Sequence, residues 1–504
     1  MILDDLATSA RDWLTPTVRL GVTGLSRAGK TVFITALVDN LLNGGRLPFF
    51  EPVRQGLITA VYLEPQPDDT VPRFAYERHR TTLRGTATTD RSTRDWPDGT
   101  RTISQLRLTF EYEPADFLSR SLASLTGRSR LHLDIVDYPG EWLLDLPLLE
   151  RTYDDWAREA VALARAPLRS TYARDWLAWL ERTPPSASQD DATAEEGARL
   201  FRAYLSACRD ASHVLSTLSP GRFLLPGDLD GSPALTFSPL DLEGNDTSAS
   251  NARSGTLHAM MARRFEAYKS QVVKPFYADH FARLDRQVVL VDALAALNTG
   301  PEAVADLERA LAQVLASFRT GGNSWLSFII GRRIDRLLFA ATKADHLHET
   351  SHDRLVAILG VLTDAARGQA DFNGAVTASE AIASVRATRQ ASVREAGEEL
   401  ACIIGTPMAG ETIDGKNFHG NREAAIFPGD LPDDPHAALA RAPADAPAQA
   451  GVRADDKGSG GADTTAAMTR FVRFRPPLPA NERTPVPHIR LDRALQFLIG
   501  DRFT

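Results

Sequence analysis

Cysteine is almost missing from this chain: only Cys208 and Cys402 occur in 504 residues. Two cysteines exclude a disulfide framework, and their separation gives no metal-ligand spacing. A reducing compartment fits, so a cytoplasmic location is expected. No apolar run approaches the ~18 residues that a membrane-spanning helix requires. The opening Met1-Ile2-Leu3-Asp4-Asp5-Leu6 is acidic and lacks the basic-then-apolar order of a secretory signal. Positive charge is not in excess either. Lys and Arg total 57 against 65 Asp and Glu, a formal net charge of −8. Nonspecific nucleic-acid binding needs clustered Lys and Arg, whereas acidic residues interleave with the arginines here, so no nucleic-acid partner is expected. Internal repeats are absent from the sequence.

What remains is an ordinary globular composition, 43% hydrophobic and 24% charged. Apolar runs at 17–22, 103–110, 130–137, 287–292, 336–341 and 380–385 read as strands. Most are continuous rather than alternating, as parallel strands buried on both faces are. Helical patterns at 32–42, 301–318 and 350–367 separate them. The expected class is therefore α/β with a mainly parallel sheet and right-handed crossovers. Residues 1–14 read as a short amphipathic helix docked on the domain, and its acidic residues argue against membrane attachment. The expected organisation runs 1–43, the N-terminal helix and start of the core; 44–115, an insertion; 116–144, a core strand; 145–285, a mostly helical insertion; and 286–432, the rest of the core. Within that last part, 402–405 and 424–427 suggest a hairpin. Residues 433–468, rich in Ala, Asp, Pro and Gly, read as a disordered linker. Residues 469–504 close the chain with a strand near 470–474 and an amphipathic helix near 489–499.

Gly24-Leu25-Ser26-Arg27-Ala28-Gly29-Lys30-Thr31 reads G-x-x-x-x-G-K-T between a predicted strand and a predicted helix. That context lets glycines curl the backbone so that N–H groups face phosphate oxygens, and the helix N-terminus adds its own unpaired N–H groups. Ser26, Arg27, Ala28, Gly29, Lys30, Thr31 and Val32 are thus candidate phosphate contacts. Lys30 would reach the β and γ phosphates, and the Thr31 hydroxyl would ligate Mg²⁺. Asp137-Tyr138-Pro139-Gly140 ends a strand and matches D-x-x-G. Asp137 would hold Mg²⁺ there, and the Gly140 N–H would meet a γ-phosphate. Asp134 on the same strand reads as structural. Thr342-Lys343-Ala344-Asp345 matches [NT]-K-x-D, in which an aspartate accepts two hydrogen bonds from the N1–H and N2–H₂ edge of guanine. Adenine offers no such donor pair. Lys343 would lay its stem over the base. Ser384-Val385-Arg386-Ala387-Thr388, after the next strand, is a candidate backbone clamp on that base.

A threonine that ligates Mg²⁺ only in the triphosphate state should precede the 103–110 strand. Thr100 and Thr102 both qualify, and spacing favours Thr102. Glu141 stands where many small GTPases carry a water-orienting glutamine. It could orient water or act as a base, yet it adds repulsion beside a γ-phosphate, so slow turnover is expected. Arg27 could neutralise developing charge in cis, or point to solvent, or pair with a carboxylate. An ATPase, a small-molecule kinase and a non-hydrolysing GTP-dependent binding module are the competing readings.

With these motifs in place, the chain resembles the YcjX-like family of bacterial P-loop proteins. The resemblance rests on 24–31, Leu133-Asp134-Ile135-Val136-Asp137-Tyr138-Pro139-Gly140-Glu141-Trp142, Arg222-Phe223-Leu224-Leu225-Pro226-Gly227, Val289-Leu290-Val291-Asp292 and Ala341-Thr342-Lys343-Ala344-Asp345-His346-Leu347. It covers nearly the whole chain apart from 433–468. It implies a Ras-like GTPase core of the P-loop NTPase class, with a large helical insertion, that binds GTP and GDP. It also implies a stress-related role beside a protein effector, a membrane protein. Some family descriptions say ATPase, against which Thr342-Lys343-Ala344-Asp345 argues for guanine.

Overall fold

The computed structural model describes residues 15–25, 27–66, 68–85, 94–114, 129–210, 215–229, 232–242, 254–316, 334–364, 367–368, 374–395, 398–413, 416–440, 471–478, 481 and 484–503. Ser26, the 1–14 segment and most of 433–468 lie outside them. At the centre is a seven-stranded sheet. In chain order its strands are β1 (Thr17–Gly24), β2 (Ile58–Glu64), β3 (Ser104–Tyr112), β4 (Ser129–Asp137), β5 (Arg286–Val291), β6 (Arg336–Ala341) and β7 (Val376–Ala381), in spatial order β2-β3-β4-β1-β5-β6-β7. β4, β1, β5, β6 and β7 pair in parallel, while β3 is antiparallel to both β4 and β2. The chain is thus mixed α/β with a mainly parallel sheet, a layout consistent with P-loop GTPases.

Strand periodicity builds the two layers that flank this sheet. Along β5, Val288 and Leu290 point to one core, and Val289 and Val291 point to the other. That is the two-residue alternation of a strand with both faces covered. The first core is filled by helix α1 (Lys30–Leu42) and by Leu491, Leu495 and Leu498 of a helix near the C-terminus. Because α1 is covered on several sides, even its polar residues are buried. Asp39 has no exposure, and its carboxylate accepts from Arg84 Nη2 (2.9 Å), Arg80 Nε (2.7 Å), Tyr76 OH (3.2 Å) and the Val486 N–H (2.9 Å). Arg80 and Arg84 come from α2 (Tyr76–Arg84). A buried charge is tolerated only when paired and hydrogen-bonded in this way.

The second core lies against the opposite face. There α3 (Tyr153–Arg165), α4 (Pro167–Arg182), α5 (Asp191–Asp210), α6 (Leu257–Tyr268) and α7 (Pro301–Ala316) share one continuous apolar cluster with Val136, Val289 and Phe339 of the sheet. Two further helices are α8 (His352–Leu362) and, near the C-terminus, α9 (Leu491–Ile499).

Several expectations shift in position. β7 ends at Ala381 rather than running over 380–385. Ile382, Ala383 and Val385 are buried all the same, because they turn beneath the chain before α9: Ala383 and Ile489 exchange backbone hydrogen bonds of 3.1 and 2.8 Å. β9 (Glu398–Gly405) does pair with β10 (Ala424–Ile426), but β8 (Arg389–Glu395) takes its other edge and makes a three-stranded sheet. Residues 471–474 form no strand beyond a single bridge from Phe474 to Pro407. Of the expected linker, Pro435–Ala440 is helical. β2 and α2 lie inside the 44–115 stretch, where the sequence pattern predicts no strand before 103.

Candidate functional site

Sheet register gathers the motifs on one edge. Val22 pairs with Asp137, Gly24 with Leu290, Val291 with Ala341, and Ala341 with Ala381. The parallel strands therefore finish level, and the loop after each one opens at the same edge, where open α/β sheets bind ligands. Around these loops runs a cleft of about 480 Å³, lined by Arg27, Ala28, Gly29, Lys30, Thr31 and Val32, by Thr342, Lys343 and Asp345, and by Ser384 and Val385. All of these were candidates by sequence.

At one end is the phosphate loop. Gly29 has φ +87°, in the left-handed region, and caps α1. Lys30 is 8% exposed and its Nζ donates to the Gly24 carbonyl at 2.7 Å. Beside it, Asp137 is buried and accepts from Thr100 Oγ1 at 3.0 and 2.8 Å on its two oxygens. Thr100 Oγ1 also lies 3.4 Å from Thr31 Oγ1. Burial pushes the Asp137 carboxyl up to about 7, against the opposing pull of Lys30 and the Thr100 hydroxyl. Three hard oxygen donors, Thr31, Thr100 and Asp137, thus converge next to Lys30. That donor chemistry suits Mg²⁺, which takes hydroxyl and carboxylate oxygens together with substrate phosphates.

Thr102, the residue favoured by spacing, is not in this group. It is exposed, whereas Thr100 faces Asp137. The reason is the antiparallel register of β3, which sets Ser104 opposite Asp137. Residues before Ser104 run on past the sheet edge, and the loop turns Thr100 rather than Thr102 inward. Gly140 abuts the phosphate loop so closely that a Cβ there would overlap the Gly24 carbonyl oxygen and sit 3.2 Å from Lys30 Nζ. Arg27 is exposed at the cleft mouth with φ +64°, and Asp210 at the end of α5 feels its charge. Glu141 is 6% exposed and does not line the cleft. It lies in the first turn of a 3₁₀ helix, Gly140–Glu150, which Asp145 ties to the 219–227 loop by accepting from the Gly221 N–H at 2.7 Å and to α6 by accepting from Tyr268 OH at 2.7 Å. Asp134 pairs with Arg107 on β3 at 2.6 and 2.8 Å, the structural part expected of it.

The other end of the cleft is built around Asp345, which is 3% exposed. Its Oδ2 accepts the Ala387 N–H at 2.8 Å, and its carbonyl accepts from the Thr388 hydroxyl. The Ser384–Thr388 stretch thereby fixes the carboxylate. Lys343 adopts φ +61° and pairs with Asp292 at the end of β5. The described residues hold three non-glycine positive φ values, at Arg27, Lys343 and Arg490, and the first two line the cleft. Such conformations cost of order 1–3 kcal/mol each and collect at functional sites. Sequence reasoning missed the far wall, made by Asp95, Trp96, Pro97 and Gly99 with Met408, Arg473 and Phe474. The turn-forming Trp96-Pro97-Asp98-Gly99 beside the candidate threonine was the available signal. For Met408 and Phe474 the sequence held none, since their position comes from the small sheet.

Comparison with known proteins agrees with this geometry. The Ras-like GTPase YcjX of Escherichia coli (strain K12) is 38% identical over 491 residues, spanning 96% of both chains. The Ras-like GTPase YcjX of Shewanella oneidensis is 34% identical over 509 residues, spanning 96% of this chain and 94% of the relative. The YcjX-like family, DUF463, matches residues 18–503, and this chain belongs to it.

Proposed function

We propose that this protein binds GTP with Mg²⁺, hydrolyses it slowly to GDP and changes conformation with the state of the nucleotide. The observation that carries the reading is the cleft itself, which joins Lys30, Thr31 and Thr100 at one end to a fixed, nearly buried Asp345 at the other. A carboxylate held by one oxygen keeps its orientation, which is what pairing with a guanine edge demands. Lys30 and the loop N–H groups neutralise and orient the phosphates. Thr31, Thr100 and Asp137 would hold Mg²⁺, which when bound neutralises charge on the β and γ oxygens. Gly140, packed on Gly24, would sense the γ-phosphate through its N–H.

Slow turnover fits Glu141, which stands in the sequence place of a water-orienting amide but is buried and does not line the cleft. Arg27, exposed at the cleft mouth, is the candidate for neutralising charge in cis, and single-turnover hydrolysis by Arg27→Ala tests it. The names of the two relatives support guanine over adenine. The stress-related role and the protein effector, a membrane protein, rest on family resemblance alone. Cytoplasmic residence rests on the sequence, with no helix among the described residues long and apolar enough to cross a membrane.

The test is equilibrium binding of fluorescent GTP and ATP analogues with Mg²⁺ to the wild type and to Asp345→Asn. Strong GTP preference, lost in the variant, is expected. Equal or tighter ATP binding by the wild type would overturn the guanine assignment and bring the ATPase or kinase reading forward. Absence of γ-phosphate release from a tightly bound GTP would leave a binding module in place of an enzyme.

A further inference from the structure

The turn after β6 is tied to the end of β5. The Thr342 N–H donates to the Val291 carbonyl at 2.9 Å. The next residue, Lys343, lines the cleft and is held at both ends. Its backbone has φ +61°, a left-handed conformation that a long side chain adopts only at a cost. Its ammonium pairs with Asp292 Oδ2. Asp292 does not itself line the cleft. Its side chain is 7% exposed, against 34% for that of Lys343. Its other oxygen, Oδ1, accepts the Ala295 N–H at 3.2 Å and caps the short helix Ala293–Thr299. Capping needs only an oxygen, which Ser or Asn supplies as well. The charge of Asp292 therefore serves something else, and its cation partner is Lys343.

We propose that Asp292 is a positioning residue for the base end of the cleft, acting through Lys343; this rests on the guanine-nucleotide reading above. A charged head that leaves water needs an opposite charge. Lys343 stands two residues before Asp345, the carboxylate assigned to the guanine edge. By engaging the ammonium, Asp292 keeps that charge off Asp345 and leaves the carboxylate open to the donors of the base. The same pair fixes the four-carbon stem of Lys343 between its two anchors. The methylenes then offer an apolar surface to the flat purine while the charged head is satisfied elsewhere. A stem fixed in advance loses less freedom when the nucleotide arrives, and that saving appears as affinity.

A double-mutant cycle on the full chain tests this role. Asp292→Asn keeps the shape and the capping oxygen and removes the charge. Lys343→Met keeps an apolar stem and removes the ammonium. Affinities for GDP and for a non-hydrolysable GTP analogue are measured with Mg²⁺ for the wild type, both single variants and the double variant, with thermal unfolding of each. Asp292→Asn should weaken both nucleotides by the same factor, about tenfold, within the coupling range of neighbours in one ion-pair network. Its unfolding should stay near that of the wild type. Added to Lys343→Met, the same substitution should change affinity by less than about twofold. It should also raise the unfolding temperature above that of Lys343→Met alone, since it removes a buried carboxylate left without its cation. A merely structural part for Asp292, through the helix it caps, would weaken binding equally in both backgrounds and overturn the proposal. Affinity of Asp292→Asn within about twofold of the wild type would overturn it too and leave the guanine reading intact. If Asp292→Asn does not fold, Asp292→Ser, which also caps and carries no charge, takes its place in the cycle. A wild type that binds no guanine nucleotide would overturn both readings.

Discussion

Substituting Gly140 by Ala probes how closely the D-x-x-G segment sits on the phosphate loop. An added Cβ would overlap the Gly24 carbonyl oxygen, lie 2.7 Å from the Gly24 carbonyl carbon and 3.2 Å from Lys30 Nζ. Real Cβ atoms essentially never approach within 3.0 Å, and the obstacle is backbone, which cannot rotate aside. The two segments must part by roughly 1 Å, a displacement that costs on the order of a hundredfold where geometry matters. Gly24 is also the acceptor for Lys30 Nζ at 2.7 Å, so the move disturbs the lysine proposed to bind phosphate as well. Overpacking of this kind destabilises by about 1–3 kcal/mol. The larger effect should fall on the triphosphate. If the Gly140 N–H meets a γ-phosphate, losing that charge-assisted bond removes about 1.5–3 kcal/mol, or roughly ten- to a hundredfold in affinity. GDP makes no such contact and should weaken far less. Denaturant unfolding and titration with GDP and a non-hydrolysable GTP analogue measure both. Unfolding and triphosphate affinity equal to the wild type would refute the steric argument. Equal losses for the two nucleotides would refute γ-phosphate sensing.

The other predictions concern the proposed metal ligands and the anchor of the 140–150 segment. Thr100→Ala should weaken Mg²⁺-dependent triphosphate binding by about tenfold, the scale of one lost ligand or charge-assisted bond, whereas the same change at exposed Thr102 should leave it unaltered; a magnesium titration with a GTP analogue compares them. Asp145 is buried and its carboxyl is pushed up to about 6, because burial outweighs the bonds from Tyr268 and Gly221. Its folded pKa thus exceeds the usual 3.8, the folded state holds the proton longer, and the stabilising contribution is present below pH about 4 and lost as pH rises through about 6. Chemical denaturation between pH 4 and 7 should therefore show a downward slope that Asp145→Asn flattens. An unchanged slope would mean that the carboxylate is ionised throughout.

Much of the fold was legible because local pattern and tertiary environment agree. The apolar alternation at 17–22 and the apolar runs at 130–137, 287–292 and 336–341 became β1, β4, β5 and β6 nearly residue for residue, and each of these strands is buried over most of its length. β2 was not legible. Its residues are partly exposed at the sheet edge, and only pairing with β3 makes it a strand. β7 was misplaced by about four residues for a related reason: Val376–Ala381 is a half-exposed edge, while the apolar residues after it are buried by the chain before α9. At the candidate site, 27–32, 342–343 and Asp345 line one cleft, since a glycine loop or a T-K-x-D turn is made by a few neighbouring residues. The threonine was not decided by distance along the chain. Thr100 and Thr102 are chemically alike, and only the register of β3 against β4 turns one inward.

By itself, then, the sequence determined the strand–loop–helix units and the motif residues carried by each, because hydrophobic periodicity and glycine geometry act within a dozen residues. The tertiary structure decided what depends on distant partners: the level strand ends that bring the 24–31, 137–140 and 342–345 motifs to one edge, the turn of Thr100 toward Asp137, and the wall where Trp96 meets Phe474 across 378 positions of sequence. No local pattern encodes such meetings, since they follow from how whole layers pack.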